Sequence, residues 1–244
     1  MLWNIDLTLV DVTRVTRDAY ADAFRQVTGR PLVQLPQMAG QSESEIFFEA
    51  LARNDAAPTV PATAAATDDG SDALLAAFVR ELAAAFAERR DLLTTRGRLL
   101  PGASAAVRAM AERPGVVQSV LTGTIRPNAV EKLRAFGLEQ YFDFEIGGYG
   151  SEIYPKGAQL MMSRSRAAEK YGVAFSERST VYIGDSVRDV EAARTGGARS
   201  VAVASGRSTE HDLRATGADI VLPDLTDIQA VIRAISLLTM PSAG

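Results

Sequence analysis

The chain contains no cysteine. Disulfides, thiol nucleophiles and cysteine-ligated metals are therefore excluded, and a cytoplasmic setting is expected. Histidine occurs once, at His211, so a histidine pair or a histidine-built metal cluster is impossible. There is no excess of basic charge: 26 Lys and Arg stand against 30 Asp and Glu, a net charge of -4. Nucleic acid is accordingly not expected as a partner. No run approaches the roughly 18 apolar residues of a membrane helix, so no membrane association is expected either. Asp6 and Asp11 follow Met1 too closely for a signal peptide. The first apolar strand begins so near Met1 that the natural start is expected slightly upstream.

What is present is apolar residue in quantity. At 244 residues and 47% hydrophobic content, the chain can build a substantial core and a smaller appended unit. Five short apolar stretches read as strands: Leu2–Ile5, Val116–Leu121, Thr180–Ile183, Ser200–Ala204 and Asp219–Leu222. Helices are predicted after several of them. One opens near Arg126-Pro127, one runs from Val187 to about Arg194 and stops at Gly196-Gly197, and one covers about Leu225 to Leu238. Strands alternating with helices predict an α/β fold, a Rossmann-like parallel sheet flanked by helices. In such sheets ligands sit at the carboxyl ends of the strands.

From about Thr13 to Thr95 the rhythm changes to helix alone. "TRVTRDAYADAFRQVTG" has helical apolar spacing and a terminal Gly, and "SESEIFFEALAR" opens with Ser42 and Glu45 in capping-box spacing. "SDALLAAFVRELAAAFAERR" reads as a long amphipathic helix capped by Ser71. The intervening "NDAAPTVPATAAATDDG" reads as a weakly ordered loop. The expectation is a discontinuous core domain, residues 1–13 and 96–244, with an all-helical cap domain, 14–95, inserted as a lid.

Four clusters fall where loops leave strand ends: Asn4-Ile5-Asp6-Leu7-Thr8, Thr122-Gly123, Lys156 in "SEIYPKGAQL", and "GDSVRD" from Gly184 to Asp189. Oxygen donors from two strand ends, with hydroxyl and ammonium groups from two others, suit Mg²⁺ and a phosphoryl group. Singly, each has an ordinary explanation. Asp6 and Thr8 could cap a turn, Thr122-Gly123 could merely end a strand, and Lys156 could be a solvated first-turn lysine. "GDSVRD" is the most specific, because two acids four apart after an apolar strand are seldom needed for folding. Trp3 and Phe47-Phe48 read as packing, and His211 as a surface residue.

Taken in order, these motifs resemble the haloacid dehalogenase superfamily, in the branch with a helical cap after the first motif and nearest to phosphoglycolate phosphatases. The resemblance extends to "LLPGA" and "GDSVRDVEAARTGGA". It implies a Mg²⁺-dependent hydrolase of phosphoric monoesters. It also implies that position 4 is the nucleophile, Asp6 the general acid and base, and Thr122 with Gly123 and Lys156 the phosphate-binding group. The metal would be held by residues 4, 6 (through its carbonyl) and 185, with Asp189 supporting that ligation. The usual nucleophile is Asp, and here Asn4 stands instead. A neutral amide lacks the nucleophilicity of a carboxylate, so impaired activity is expected. Leu7 replaces a common Gly, which is tolerable if the backbone there suits a Cβ.

The expected partner is a small phosphorylated metabolite, handled by a monomer or dimer, with Gly40 and Gln41 in a substrate-facing loop. Asp6 argues against a haloacid dehalogenase, and the absence of a cap histidine against a phosphosugar mutase. A phosphoacceptor receiver domain is much shorter and has no lid. Two alternatives stay open: a catalytically silent phospho-ligand-binding protein, and an engineered Asp-to-Asn trapping variant of an active phosphatase.

Overall fold

The computed structural model describes residues 1–38, 40–56, 69–151 and 155–239. In chain order its strands are β1 (Leu2–Trp3), β2 (Val10–Asp11), β3 (Arg98–Leu99), β4 (Ser119–Thr122), β5 (Gly148–Tyr149), β6 (Val181–Gly184), β7 (Arg199–Val203) and β8 (Ile220–Leu222). Six form one parallel sheet in the order β5-β4-β1-β6-β7-β8. β1 lies between β4 and β6, with Leu2 opposite both Ser119 and Tyr182. The C-terminal ends of these three strands therefore meet, which is what assembles the site.

Both faces of the sheet are covered, as continuous apolar strands such as Val181–Gly184 require. On one face α7 (Lys156–Tyr171) packs against α8 (Val187–Gly196), and on the other α5 (Ala103–Ala111) packs against α10 (Ile228–Thr239). α6 (Arg126–Ala135) follows β4, with Pro127 in its first turn, and the short α9 (Glu210–Ala215) follows β7.

Four helices lie between β2 and β3 in sequence: α1 (Thr13–Thr28), α2 (Glu43–Arg53), α3 (Asp69–Ala87) and α4 (Leu92–Arg96). Phe78 stacks on Phe47 at 4.2 Å between centroids and meets Tyr20 at 5.2 Å, which holds α1, α2 and α3 together. β2 and β3 pair antiparallel, Val10 with Leu99 and Asp11 with Arg98. The chain thus leaves the sheet and returns to it at adjacent points.

The α/β sheet and its flanking helices agree with expectation, with differences at the edges. β5 and the β2–β3 pair were not anticipated. Each strand is only two residues long, too short for an alternation to register. The α3 helix begins at Asp69, so Ser71 lies inside it and is not its cap. The loop expected between α2 and α3 falls mostly outside the described residues. Ser42 and Glu45 do form the expected capping box. Trp3 is fully buried and donates from Nε1 to Gln118 Oε1 at 3.0 Å. Phe47 is buried, and Phe48, more exposed, packs its ring against Phe47 at 5.6 Å between centroids. His211 lies on the surface.

Candidate active site

β1 ends at Trp3, but the next amide continues its ladder: Asn4 N donates to Ile183 O at 2.8 Å. Asn4 is therefore fixed at the end of β1, beside β6, with its side chain buried. Beyond it the chain turns tightly, with Leu9 and Val10 amides both returning to Ile5 O. The turn puts Leu7 at φ 60, in the left-handed region that disfavours a Cβ. The condition for tolerating Leu at this slot is thus not met, and the position is strained. The same turn aims Thr8 inward, where Oγ1 donates to Asp185 Oδ1 at 2.8 Å.

β6 delivers the second part of the site. Ser186 caps α8, and Asp189 is the reciprocal member of its capping box. One Asp189 oxygen accepts from Ser186, and the other from Lys156 Nζ at 2.7 Å and Tyr182 Oη at 2.6 Å. Burial works against ionisation of Asp189, but the Lys156 ammonium and these donors outweigh it and hold the carboxyl below its usual range. Asp185 has no such cation in contact. Burial, and then the Asp189 charge, push its carboxyl up to about 7, opposed by hydrogen bonds from Thr8 and Asn4.

β4 supplies the third part. Thr122 is buried at its end, and Gly123 O accepts from the Glu43 amide of α2 at 2.9 Å. Thr124 Oγ1 donates to Asp6 Oδ2 at 3.0 Å. From α6, Lys132 Nζ reaches both oxygens of Asp6, at 2.8 and 2.7 Å, and Thr124 Oγ1 at 2.9 Å. Glu43 closes this end from the inserted helices, hydrogen-bonded by Tyr20 Oη. Burial pushes the Glu43 carboxyl up to about 8, against the pull of Lys132.

These groups enclose a cavity of about 70 Å³. Of the residues expected from sequence, Asn4, Asp6, Thr122, Gly123, Lys156 and Asp185 all line it, as do Gly40 and Gln41. Asp189 does not, because its oxygens are occupied by Lys156, Tyr182 and Ser186. It is therefore placed to orient Lys156 and not to contribute a metal oxygen directly. Lys132, Thr124, Glu43 and Arg207 also line the cavity, and sequence reasoning missed them. For Lys132 a signal existed: it shares the buried face of α6 with Asn128, Ala129 and Leu133, a charged residue where helical spacing puts apolar ones.

A cation can be tested against this geometry. No group of three acidic, histidine or cysteine side chains is gathered for a metal among the described residues. Two oxygens nevertheless converge: Asp185 Oδ1 and Asp6 O lie 2.9 and 3.0 Å from Asn4 Nδ2, which donates to both. Turning the Asn4 amide over would present its oxygen instead. The set is then all oxygen, which fits a hard divalent cation.

A family model described as haloacid dehalogenase-like hydrolase matches residues 1–194. The chain belongs to this family. A phosphoglycolate phosphatase of Pectobacterium atrosepticum is 28% identical over 127 residues, 51% of each chain. The chain thus spans about half the length of this curated relative in the match. Among solved structures, CbbY from Rhodobacter sphaeroides in complex with phosphate aligns over 93% of this chain and 94% of its own. Its TM-score is 0.62 at 22% identity. The β-phosphoglucomutase of Clostridium difficile covers 97% and 96%, with TM-score 0.66 at 13% identity. An aspartate-to-asparagine mutant of CbbY in complex with xylulose-1,5-bisphosphate covers 93% and 94%, with TM-score 0.63 at 22% identity. At these identities the structural neighbours establish the fold.

Proposed function

We propose that this protein is a Mg²⁺-dependent phosphatase scaffold for a small phosphate monoester, with Asn4 at the nucleophile position and turnover impaired as a result. The observation that carries this reading is the convergence of Asn4, Thr122, Lys156 and Asp185 on one small cavity at three adjacent strand ends. Thr122 and the Gly123 loop bind phosphoryl oxygens, and Lys156, held by Asp189, supplies fixed positive charge beside them. Asp185, the Asp6 carbonyl and the Asn4 amide oxygen would hold the cation. When bound, Mg²⁺ would offset charge on the phosphoryl oxygens. Asp6 moves the proton, positioned by Thr124 and Lys132. The inserted helices, residues 14–95, form a lid that excludes water. A cavity of about 70 Å³ suits a small leaving group, and the phosphoglycolate phosphatase relative points the same way.

The second reading, a silent phospho-ligand-binding protein, is favoured by Asn4 itself. Its amide links Asp6 O and Asp185 and lacks the carboxylate charge that would attack phosphorus. The exchange Asn4→Asp discriminates. Asn and Asp are nearly isosteric, and loss of an essential nucleophile costs on the order of 10⁶ in a well-studied protease. The expected result is a rise of several powers of ten in Mg²⁺-dependent hydrolysis of a chromogenic phosphate ester. The protein as written, verified free of deamidation, should be nearly inactive. If both forms turn over equally, Asn4 does not mark a lost nucleophile. If Asn4→Asp binds Mg²⁺ yet hydrolyses no ester in a broad panel, the binding-protein reading stands.

A further inference from the structure

The turn after β1 carries a leucine in a conformation that favours glycine. Leu7 has φ 60, and a residue with a Cβ persists there only where its surroundings hold it. They hold it from two sides. Leu7 N donates to Val10 O at 2.8 Å, and Leu7 O accepts from Ser205 Oγ at 2.7 Å. Ser205 belongs to the loop after β7, which is itself fixed, because a Cβ at Gly206 would fall on the Asp185 carboxylate. Both backbone polar groups of Leu7 are thus committed within the sheet side of the molecule.

The side chain is used elsewhere. Leu7 is half-buried, yet among the described residues it packs against none of the three apolar clusters. It lines the cavity instead. Two other large apolar residues line the same space, Met38 and Ile46, both from the inserted segment and both part of the main core packing. Leu7 faces the cavity from the opposite body, the turn that carries Asp6. It follows Asp6 directly, and consecutive Cα atoms lie about 3.8 Å apart. If Asp6 serves the leaving-group oxygen, Leu7 stands beside the carbon attached to that oxygen. A cavity of about 70 Å³ leaves little space for a second substituent on that carbon.

We propose that Leu7 is a specificity-determining residue that restricts the ligand to phosphate esters of primary alcohols, by occupying the space that a branch at the ester-bearing carbon would need. The inference rests on the phosphatase-scaffold reading for the positions of the phosphoryl group and of Asp6. It adds which esters that site accepts and which side chain decides it.

The test uses binding, so that it does not depend on turnover. The protein as written is titrated calorimetrically, with Mg²⁺, against inorganic phosphate and against two pairs of isomers: propyl and isopropyl phosphate, and butyl and sec-butyl phosphate. Within a pair the atoms are the same and only the branching differs. A branch that does not fit should weaken binding about tenfold or more, as one misplaced methyl group does in a tight apolar pocket. Leu7→Gly, which suits the left-handed backbone, should bring the members of each pair together by tightening the branched one. Leu7→Ala, which keeps the Cβ, should do so in part. Equal binding within the pairs in the protein as written overturns the proposal. So does a preference that survives in Leu7→Gly, or an equal loss for all esters in both variants, which would mark Leu7 as merely structural. Binding of inorganic phosphate but of no ester, in all three forms, also overturns it, since Leu7 would then limit nothing. Failure of inorganic phosphate to bind the protein as written overturns the phosphatase reading, and this proposal with it.

Discussion

Glu43 is a carboxyl group held in a place built for a neutral one. It is buried in the first turn of α2, and its carboxyl is raised from 4.5 to about 8 chiefly by that burial. The folded chain therefore binds this proton more tightly than the unfolded chain does. The resulting stability is full below about pH 4.5 and is lost as the pH rises towards about 8. Asp185, raised to about 7, contributes with the same sign. Burial lowers the Met1 ammonium to about 5, which acts with the opposite sign over this range, so melting temperatures in metal-free buffer should fall between about pH 5 and about pH 8 only by the excess of the two carboxyls over it, and Glu43→Gln should flatten that slope. An unchanged slope in Glu43→Gln would remove Glu43 from the account. Leu7 offers a second test at this scale. Relief of a left-handed non-glycine residue is worth roughly 1–2 kcal/mol, offset by the loss of a half-buried side chain. Leu7→Gly should leave the urea midpoint unchanged or raised, and a marked drop would mean that packing dominates. The residues that leave strand ends with a motif around them, Asn4, Asp6, Thr122, Lys156 and Asp185, were legible because strand, turn and chemistry coincide in sequence. Lys132, Glu43 and Arg207 were not, because each reaches the cavity from an element whose position only the fold determines.

At the scale of elements, the seat of α2 on the sheet is the critical joint. The Glu43 amide, in the first turn of α2, donates to Gly123 O, and Ser44 Oγ to Gly150 O at 3.4 Å. A Cβ on Gly150 would fall on Gly123 O, and one on Gly123 would fall on Gln41 O. Three backbones, from α2, β4 and the loop after β5, meet here with no room for side chains. Gly150→Ala should lower stability by about 1–3 kcal/mol, the usual cost of forcing atoms into a packed site. Urea denaturation measures it, and a midpoint shift under the equivalent of about 0.5 kcal/mol would show that the joint has slack. Caps made the helices legible: Ser42 with Glu45 opened α2 as read, and Gly197 in left-handed conformation closes α8. The two-residue strands β2, β3 and β5 carry no period and became visible only through their partners.

For the whole molecule, the question is whether the proposed lid can move while sharing a core with the sheet. One apolar cluster runs without a break from Trp3 and Val181 to Phe47 and Phe78, so the inserted helices are not separately packed. The path between the two parts is narrow, however. It is the β2–β3 ladder, strengthened by the Arg98–Asp11 pair at 3.2 Å, with Gly97 lodged against Val12 and Leu93 O. On the far side the parts are held by small polar contacts, among them Glu43 N to Gly123 O and the exposed Arg188–Glu45 pair. The apolar cluster and the packing of α3 and α4 on α6 also join the two parts, so a swing about the ladder edge would have to slide against that packing. We expect the swing to be absorbed at Val12–Thr13 and across Leu93–Gly97, the two connections beside the ladder. Ligand in the cavity touches both parts and should hold the lid closed. Hydrogen exchange with Mg²⁺ and inorganic phosphate should therefore slow in both connections, and at the α2 amides seated on Gly123, while the β6–β7 ladder stays unchanged. If the connections exchange alike with and without ligand, the inserted helices are a fixed wall of the site and not a lid.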